Sequence, residues 1–158
     1  MKEYQQIICI KTYSWNELSE EEKTLVDFAR QATNRSYAPY SHFHVGAAIG
    51  LANGVIVTGT NQENAAYPSG MCAERTALFY ANSQYPDQAI KAIAIAARTD
   101  EEFTEKPITP CGACRQVLLE TENRYGSHIR IYLYGTREIQ VIESAGSLLP
   151  LSFDGECM

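Results

Sequence analysis

The chain has 158 residues, 45% of them hydrophobic and 20% charged, which is the make-up of a folded globular domain and excludes an extended disordered chain. Its net charge of -6 and pI near 5.1 oppose a phosphate backbone or an anionic membrane as main partner, and favour a small neutral or cationic ligand. No apolar run reaches the ~18 residues of a membrane span, no basic-then-apolar leader opens the chain, and the cysteine count is odd. The expectation is a single domain over residues 1–158, cytoplasmic, with reduced thiols open to a metal.

In chain order, Ser19 followed by "EEEKTLVDFARQATNRS" predicts a capped helix: Ser19 and Glu22 form a capping box, and Leu25, Phe28, Ala29 and Ala32 an apolar stripe. Pro39 breaks it. Residues 44–61, "HVGAAIGLANGVIVTGTN", predict a hairpin turning at Asn53-Gly54. A polar loop leads to a second helix over "CAERTALFYANSQY". Residues 89–97, "AIKAIAIAA", predict a buried strand, with helix as the competing reading because of the alanines. A charged loop precedes "TPCGACRQ" and a third helix over "GACRQVLLETEN"; "IRIYLY" and "IQVI" are strands separated by "GTRE", and Ser144 begins a short helix ending near Pro150. This order implies an α/β fold, a five-stranded mixed sheet with helices packed on it.

Cys111 and Cys114 open the third helix, and Cys72 opens the second. Helix N-termini favour thiolate, and two helices on one sheet face would bring the three sulfurs together as soft ligands for tetrahedral zinc with a fourth position open. Spacing alone leaves other readings open: a redox Cys-x-x-Cys pair, or a structural site completed by Cys9 or Cys157. Glu74 favours catalysis. A non-ligand Glu two residues after a His or Cys, with Pro-Cys-x-x-Cys downstream, is the zinc deaminase pattern, and the chain carries it as "CAE" at 72–74 and "PCGAC" at 110–114. Three thiolates overcharge one divalent ion, so Arg75 and, less strongly, Arg115 are candidates to offset that charge by donating to sulfur.

Together with "SYAPYSHFHVGAA", "GTNQENAAYPSGMCAERTAL", "PCGACRQVLLE" and "LLPLSF", these motifs closely resemble the small, homotetrameric, three-cysteine cytidine deaminases, from about Ala29 to Phe153. The resemblance implies the three-layer cytidine deaminase-like fold with helices on both faces of the sheet. It also implies one zinc per chain on Cys72, Cys111 and Cys114, Glu74 as proton carrier, and hydrolytic deamination of cytidine or deoxycytidine. Phe43 would cover the pyrimidine, Asn61 and Glu63 would bind ribose hydroxyls, Ala73 would contact the substrate, and Phe153 would reach a neighbouring subunit's pocket. The partners so implied are a nucleoside substrate and three further copies of the chain, with no nucleic acid and no membrane. The nearest rivals are a deaminase of a nucleoside analogue such as blasticidin S, against which Asn61-x-Glu63 argues, and a structural-zinc interaction module. The family often has Cys-Asn-Ile-Glu-Asn where this chain has Thr60, Asn61, Gln62, Glu63 and Asn64. The loop "ARTDEEFTEKPIT" is longer than usual, and the segment before Leu18 lies outside the resemblance.

Overall fold

The computed structural model describes residues 1–155 and 158; Cys157, weighed above as a zinc ligand, lies outside the described residues. Helix α1 (Glu20–Ala32) starts as its sequence dictates. Ser19 Oγ accepts the Glu22 N–H at 3.3 Å, and Glu22 Oε2 accepts the Ser19 N–H at 2.8 Å. Its buried stripe is Leu25, Val26, Ala29 and Ala32, whereas Phe28, expected within it, is 41% exposed. The helix is rotated so that Val26 meets the sheet, because β-strand neighbours there are small and leave room for a close approach.

Strands β2 (His44–Leu51) and β3 (Ile56–Thr60) form the expected hairpin, with Gly54 at φ 84° in its turn. Helix α2 (Ala73–Gln84) leads to β4 (Ile90–Arg98), helix α3 (Gly112–Tyr125) to β5 (Arg130–Tyr134), and β6 (Ile139–Ile142) returns antiparallel to β5. The alanine-rich run is therefore a strand. Its residues alternate: Ile93 and Ile95 pack under α2 and α3, while Ala94 and Ala96 face α1.

The sheet has six strands rather than the five expected. The sixth, β1 (Lys11–Tyr13), pairs antiparallel with β6, and the order is β1-β6-β5-β4-β2-β3. "KTY" has neither the length nor the alternation that marks a strand in sequence; β6 templates it through backbone hydrogen bonds. The three layers are as expected, with α1 on one face and α2 and α3 on the other. A short 3-10 turn, Ala145–Leu148, closes the C-terminal part after Ser144. Among the described residues no helix is long and apolar enough to cross a membrane.

Two glycines set layer spacing. A Cβ on Gly46 would lie 2.1 Å from the Ala29 carbonyl oxygen, so α1 rests on bare backbone. On the other face, a Cβ on Gly59 would lie 2.4 Å from Ala77 N and 2.5 Å from Ala73 O, so the first turn of α2 is seated directly on β3.

Candidate active site

Cys72 and Cys111 are the N-cap residues of α2 and α3, and Cys114 lies in the first turn of α3. Neither N-cap sulfur caps its own helix, which leaves the sulfurs facing one another. Cys72 Sγ is 3.8 Å from Cys111 Sγ, Cys111 Sγ is 3.4 Å from Cys114 Sγ, and all three lie within 4.8 Å. Four ligands held tetrahedrally at ~2.3 Å from zinc stand ~3.8 Å apart, so this triangle fits that ion with one apex open. No disulfide joins them.

The Cys114 thiol, and next the Arg75 guanidinium, hydrogen-bond the Cys72 sulfur and outweigh the burial between them, lowering its pKa from 9.0 to about 5. The hydrogen bond to Cys72, burial and the charge on Glu74 push the Cys114 thiol up. A metal ion beside the sulfurs would favour their thiolate form.

Glu74 is only 5% exposed, in the first turn of α2. Burial raises its carboxyl above the ordinary 4.5, and the charge on Cys72 acts in the same direction. A carboxyl so placed accepts and returns a proton more readily than an exposed one. Arg75 Nη2 donates to Cys72 Sγ at 3.5 Å. Arg115, the weaker candidate for offsetting thiolate charge, is directed elsewhere. Its guanidinium donates to Pro110 O, Leu148 O and Thr109 Oγ1, tying the start of α3 to the C-terminal 3-10 turn.

A cleft of about 340 Å³ runs from Asn61 and Glu63 past Tyr67 to Cys72 and Arg75. A larger groove of about 720 Å³ beside α1 contains none of the cysteines, so size alone does not mark the chemistry. Asn61 is spent largely on the neighbouring backbone: Nδ2 donates to Phe43 O at 2.9 Å, and Oδ1 accepts the Val45 N–H at 2.8 Å. Glu63 accepts from Tyr40 N at 2.9 Å, Ser41 N at 3.3 Å and the Ser41 hydroxyl. The Ser41 hydroxyl, then the Tyr40 N–H, keep that carboxyl below its ordinary range and ionised. Both residues therefore shape the 40–45 segment, while one N–H of Asn61 and the remaining acceptor capacity of Glu63 are available to the cleft. Ala73 is fully buried at the first position of α2. Phe153 is 60% exposed, with its carbonyl held by Gln116 Nε2 at 2.8 Å.

The profile described as the cytidine and deoxycytidylate deaminase zinc-binding region matches residues 19–125, well over half of the chain. The chain belongs to this family. A cytidine deaminase of Halalkalibacterium halodurans is 42% identical over 135 residues, covering 85% of this chain and 95% of the relative. One from Sporosarcina psychrophila is 41% identical over 132 residues, covering 84% and 90%. Among solved structures, the cytidine deaminase of Burkholderia pseudomallei superposes with a TM-score of 0.72 at 38% identity, covering 86% of this chain and all of that one. That of Mycobacterium tuberculosis superposes with a TM-score of 0.64 at 33% identity, covering 83% and 95%.

Sequence reasoning missed Gly59, Ser41 and a cluster formed by His42, His44 and Asp100. A lone strand glycine signals close approach without saying to what. The other residues act through contacts between loops distant in the chain, for which no local signal exists.

Proposed function

We propose that this chain is an enzyme that hydrolyses cytidine or deoxycytidine to the uridine product and ammonia, with one zinc ion per chain. The observation that carries this reading is the convergence of three sulfurs from two helix starts beside Glu74, a buried acid. Cys72, Cys111 and Cys114 would hold the ion. When bound, zinc supplies an acidified water and a positive centre for charge developing on oxygen.

The remaining steps belong to the protein. Glu74 takes one proton from the attacking water and gives it to N3 of the pyrimidine as oxygen attacks C4. It then carries the second proton to the amino nitrogen, which leaves as ammonia. Protonating N3 removes the need to build negative charge on the ring, and protonating the amine makes it a neutral leaving group. Arg75 offsets the excess charge of the thiolates.

Phe43 covers the ring, and Ala73, whose N–H is among the orphan donors at the start of α2, faces the substrate. Asn61 and Glu63 bind the sugar hydroxyls, Asn61 by its second N–H and Glu63 as acceptor. Residues 1–158 act as one domain in the cytoplasm, where thiols stay reduced. Four copies assemble, with Phe153 of each reaching a neighbour's cleft; no nucleic acid or membrane takes part.

Metal analysis of the purified protein, with ammonia release assayed over a panel of amino-pyrimidines and their nucleosides, tests the reading. About one zinc per chain and turnover of cytidine are expected. A protein that holds zinc and turns over none of the panel is a structural-zinc module instead.

A further inference from the structure

The turn after β4 has no part in the chemistry above, yet it grips the residues on either side of Phe43. His44 Nε2 donates to Asp100 Oδ1 at 2.7 Å, and His42 Nδ1 lies 3.1 Å from Asp100 Oδ2. With Nε2 carrying the proton, His44 Nδ1 accepts from the Ser36 hydroxyl, so the ring is fixed at both nitrogens. We propose that Asp100 is a positioning residue for pyrimidine binding, holding His42 and His44 and thereby the ring of Phe43 between them. The proposal rests on the reading of Phe43 as the residue that covers the base.

Two features support it. First, His42 has a left-handed backbone, φ 55°, which a residue with a Cβ adopts only against resistance, so this point of the chain needs an external tie. Second, Asp100 stands on a firm base. Thr99 Oγ1 accepts the Glu101 and Glu102 N–H groups, Thr99 N donates to Glu102 O at 2.9 Å, and Arg98 donates to the carbonyls of Thr99 and Asp100. The turn is anchored in the core by Phe103, whose ring meets Tyr134 edge-on at 5.6 Å and Arg30 at 5.2 Å. Phe43 itself is held by backbone bonds, N–H to Ser41 Oγ and C=O from Asn61. Asp100 adds the restraint from the β4 side of the loop.

Asp100 is 59% exposed, so its contacts with the two histidines do little for global stability, and the effect of losing it falls on substrate binding. Steady-state kinetics on the intact zinc-loaded protein, with cytidine as substrate, test this in Asp100→Ala, Asp100→Asn, Phe43→Ala and the Asp100→Ala/Phe43→Ala double variant. Asp100→Ala raises KM about tenfold with kcat within about twofold, the pattern of lost ground-state positioning, and leaves zinc content and Tm unchanged. Asp100→Asn, which keeps one accepting oxygen, falls between. In the Phe43→Ala background the Asp100 penalty disappears. Equal penalties in both backgrounds overturn the proposal, as does an Asp100→Ala protein with lowered Tm and unchanged KM. An unchanged KM in Asp100→Ala alongside a raised one in Phe43→Ala sinks the clamp and spares the reading of Phe43. An unchanged KM in Phe43→Ala removes both.

Discussion

Gly59 lies on β3 and bears no chemical group, yet substituting it should impair catalysis. A methyl at Gly59 would sit 2.4 Å from Ala77 N, 2.5 Å from Ala73 O and 2.9 Å from Ala77 Cα, all backbone atoms of α2, where ordinary contact begins at 3.4 Å. The shortfall is about 1 Å, and no side chain can rotate to absorb it, so the start of α2 must lift from the sheet by that much. Cys72, Glu74 and Arg75 move with it; Cys111 and Cys114, on α3, do not. The sulfur triangle, 3.8 Å on its Cys72–Cys111 side, then opens by a sizeable fraction of one edge. Overpacking of this kind costs about 1–3 kcal/mol of stability, and a ~1 Å misplacement of a catalytic group costs on the order of 10² in rate. Gly59→Ala should therefore lower Tm, weaken zinc retention against a chelator, and depress kcat for cytidine about a hundredfold. Thermal melts, zinc content after chelator challenge and ammonia release measure the three effects. Wild-type kcat and zinc retention in a folded Gly59→Ala protein would refute the argument that β3 sets the position of the site.

Glu74→Gln keeps size and polarity but cannot accept a proton: zinc content stays at the wild-type level while turnover falls by about 10²–10⁴-fold or more, and near-normal turnover would remove Glu74 as proton carrier. Cys111→Ala behaves in the opposite way, losing zinc first and activity as a consequence, and full occupancy would remove it from the ligand set. For Glu22, burial is outweighed by hydrogen bonds from Ser19 and Tyr132 and by Arg130, so its folded-state pKa is lowered from 4.5. Its stabilisation is present above pH 4.5 and lost as pH falls through the lower folded value, so the Tm gap between wild type and Glu22→Gln is full at pH 7 and closes on acidification below 4.5. A gap that persists into strong acid would show that the lost contribution is not ionic. Light scattering should give about four times the 17.6 kDa chain mass, and a fully active monomer would end the shared-cleft arrangement while leaving the zinc chemistry intact.

The elements readable in the sequence were those whose signals are local. The Ser19–Glu22 capping box, the Asn53-Gly54 turn and the cysteines at two helix starts each occupy a few consecutive residues, and each stands where it was expected. What escaped is non-local. Lys11–Tyr13 is a strand only because β6 offers it a partner, and Val26 replaces Phe28 in the buried stripe only because Ala48, Ala94 and Ala96 lie opposite. Arg115 is as close in sequence to a cysteine as Arg75 is to Glu74, but its guanidinium is directed to three oxygens brought there by other segments. Adjacency in sequence could not separate the two arginines.

The position of the site follows from the sheet. β3 and β4 both run antiparallel to β2, which lies between them, so their C-terminal ends share one edge with the start of β2: Gly46 pairs with Thr60, and His44 with Arg98. The connections leaving β3 and β4 on that edge must each supply a helix that packs back on the same face, and each helix therefore begins there. Two N-terminal partial charges are thus delivered to one place, which is where thiolates are most stable. The same edge receives Phe43 just before β2, Asn61 and Glu63 just after β3, and Asp100 just after β4. The residues proposed to hold the metal, carry the proton and grip base and sugar come from separate segments of the chain, and strand direction brings them to a single edge. Because that edge is built from backbone pairing, a substitution that only alters the polar surface of α1 or β6 leaves the site in place, whereas one that displaces β2, β3 or β4 by a fraction of a residue repeat disturbs every part of it at once.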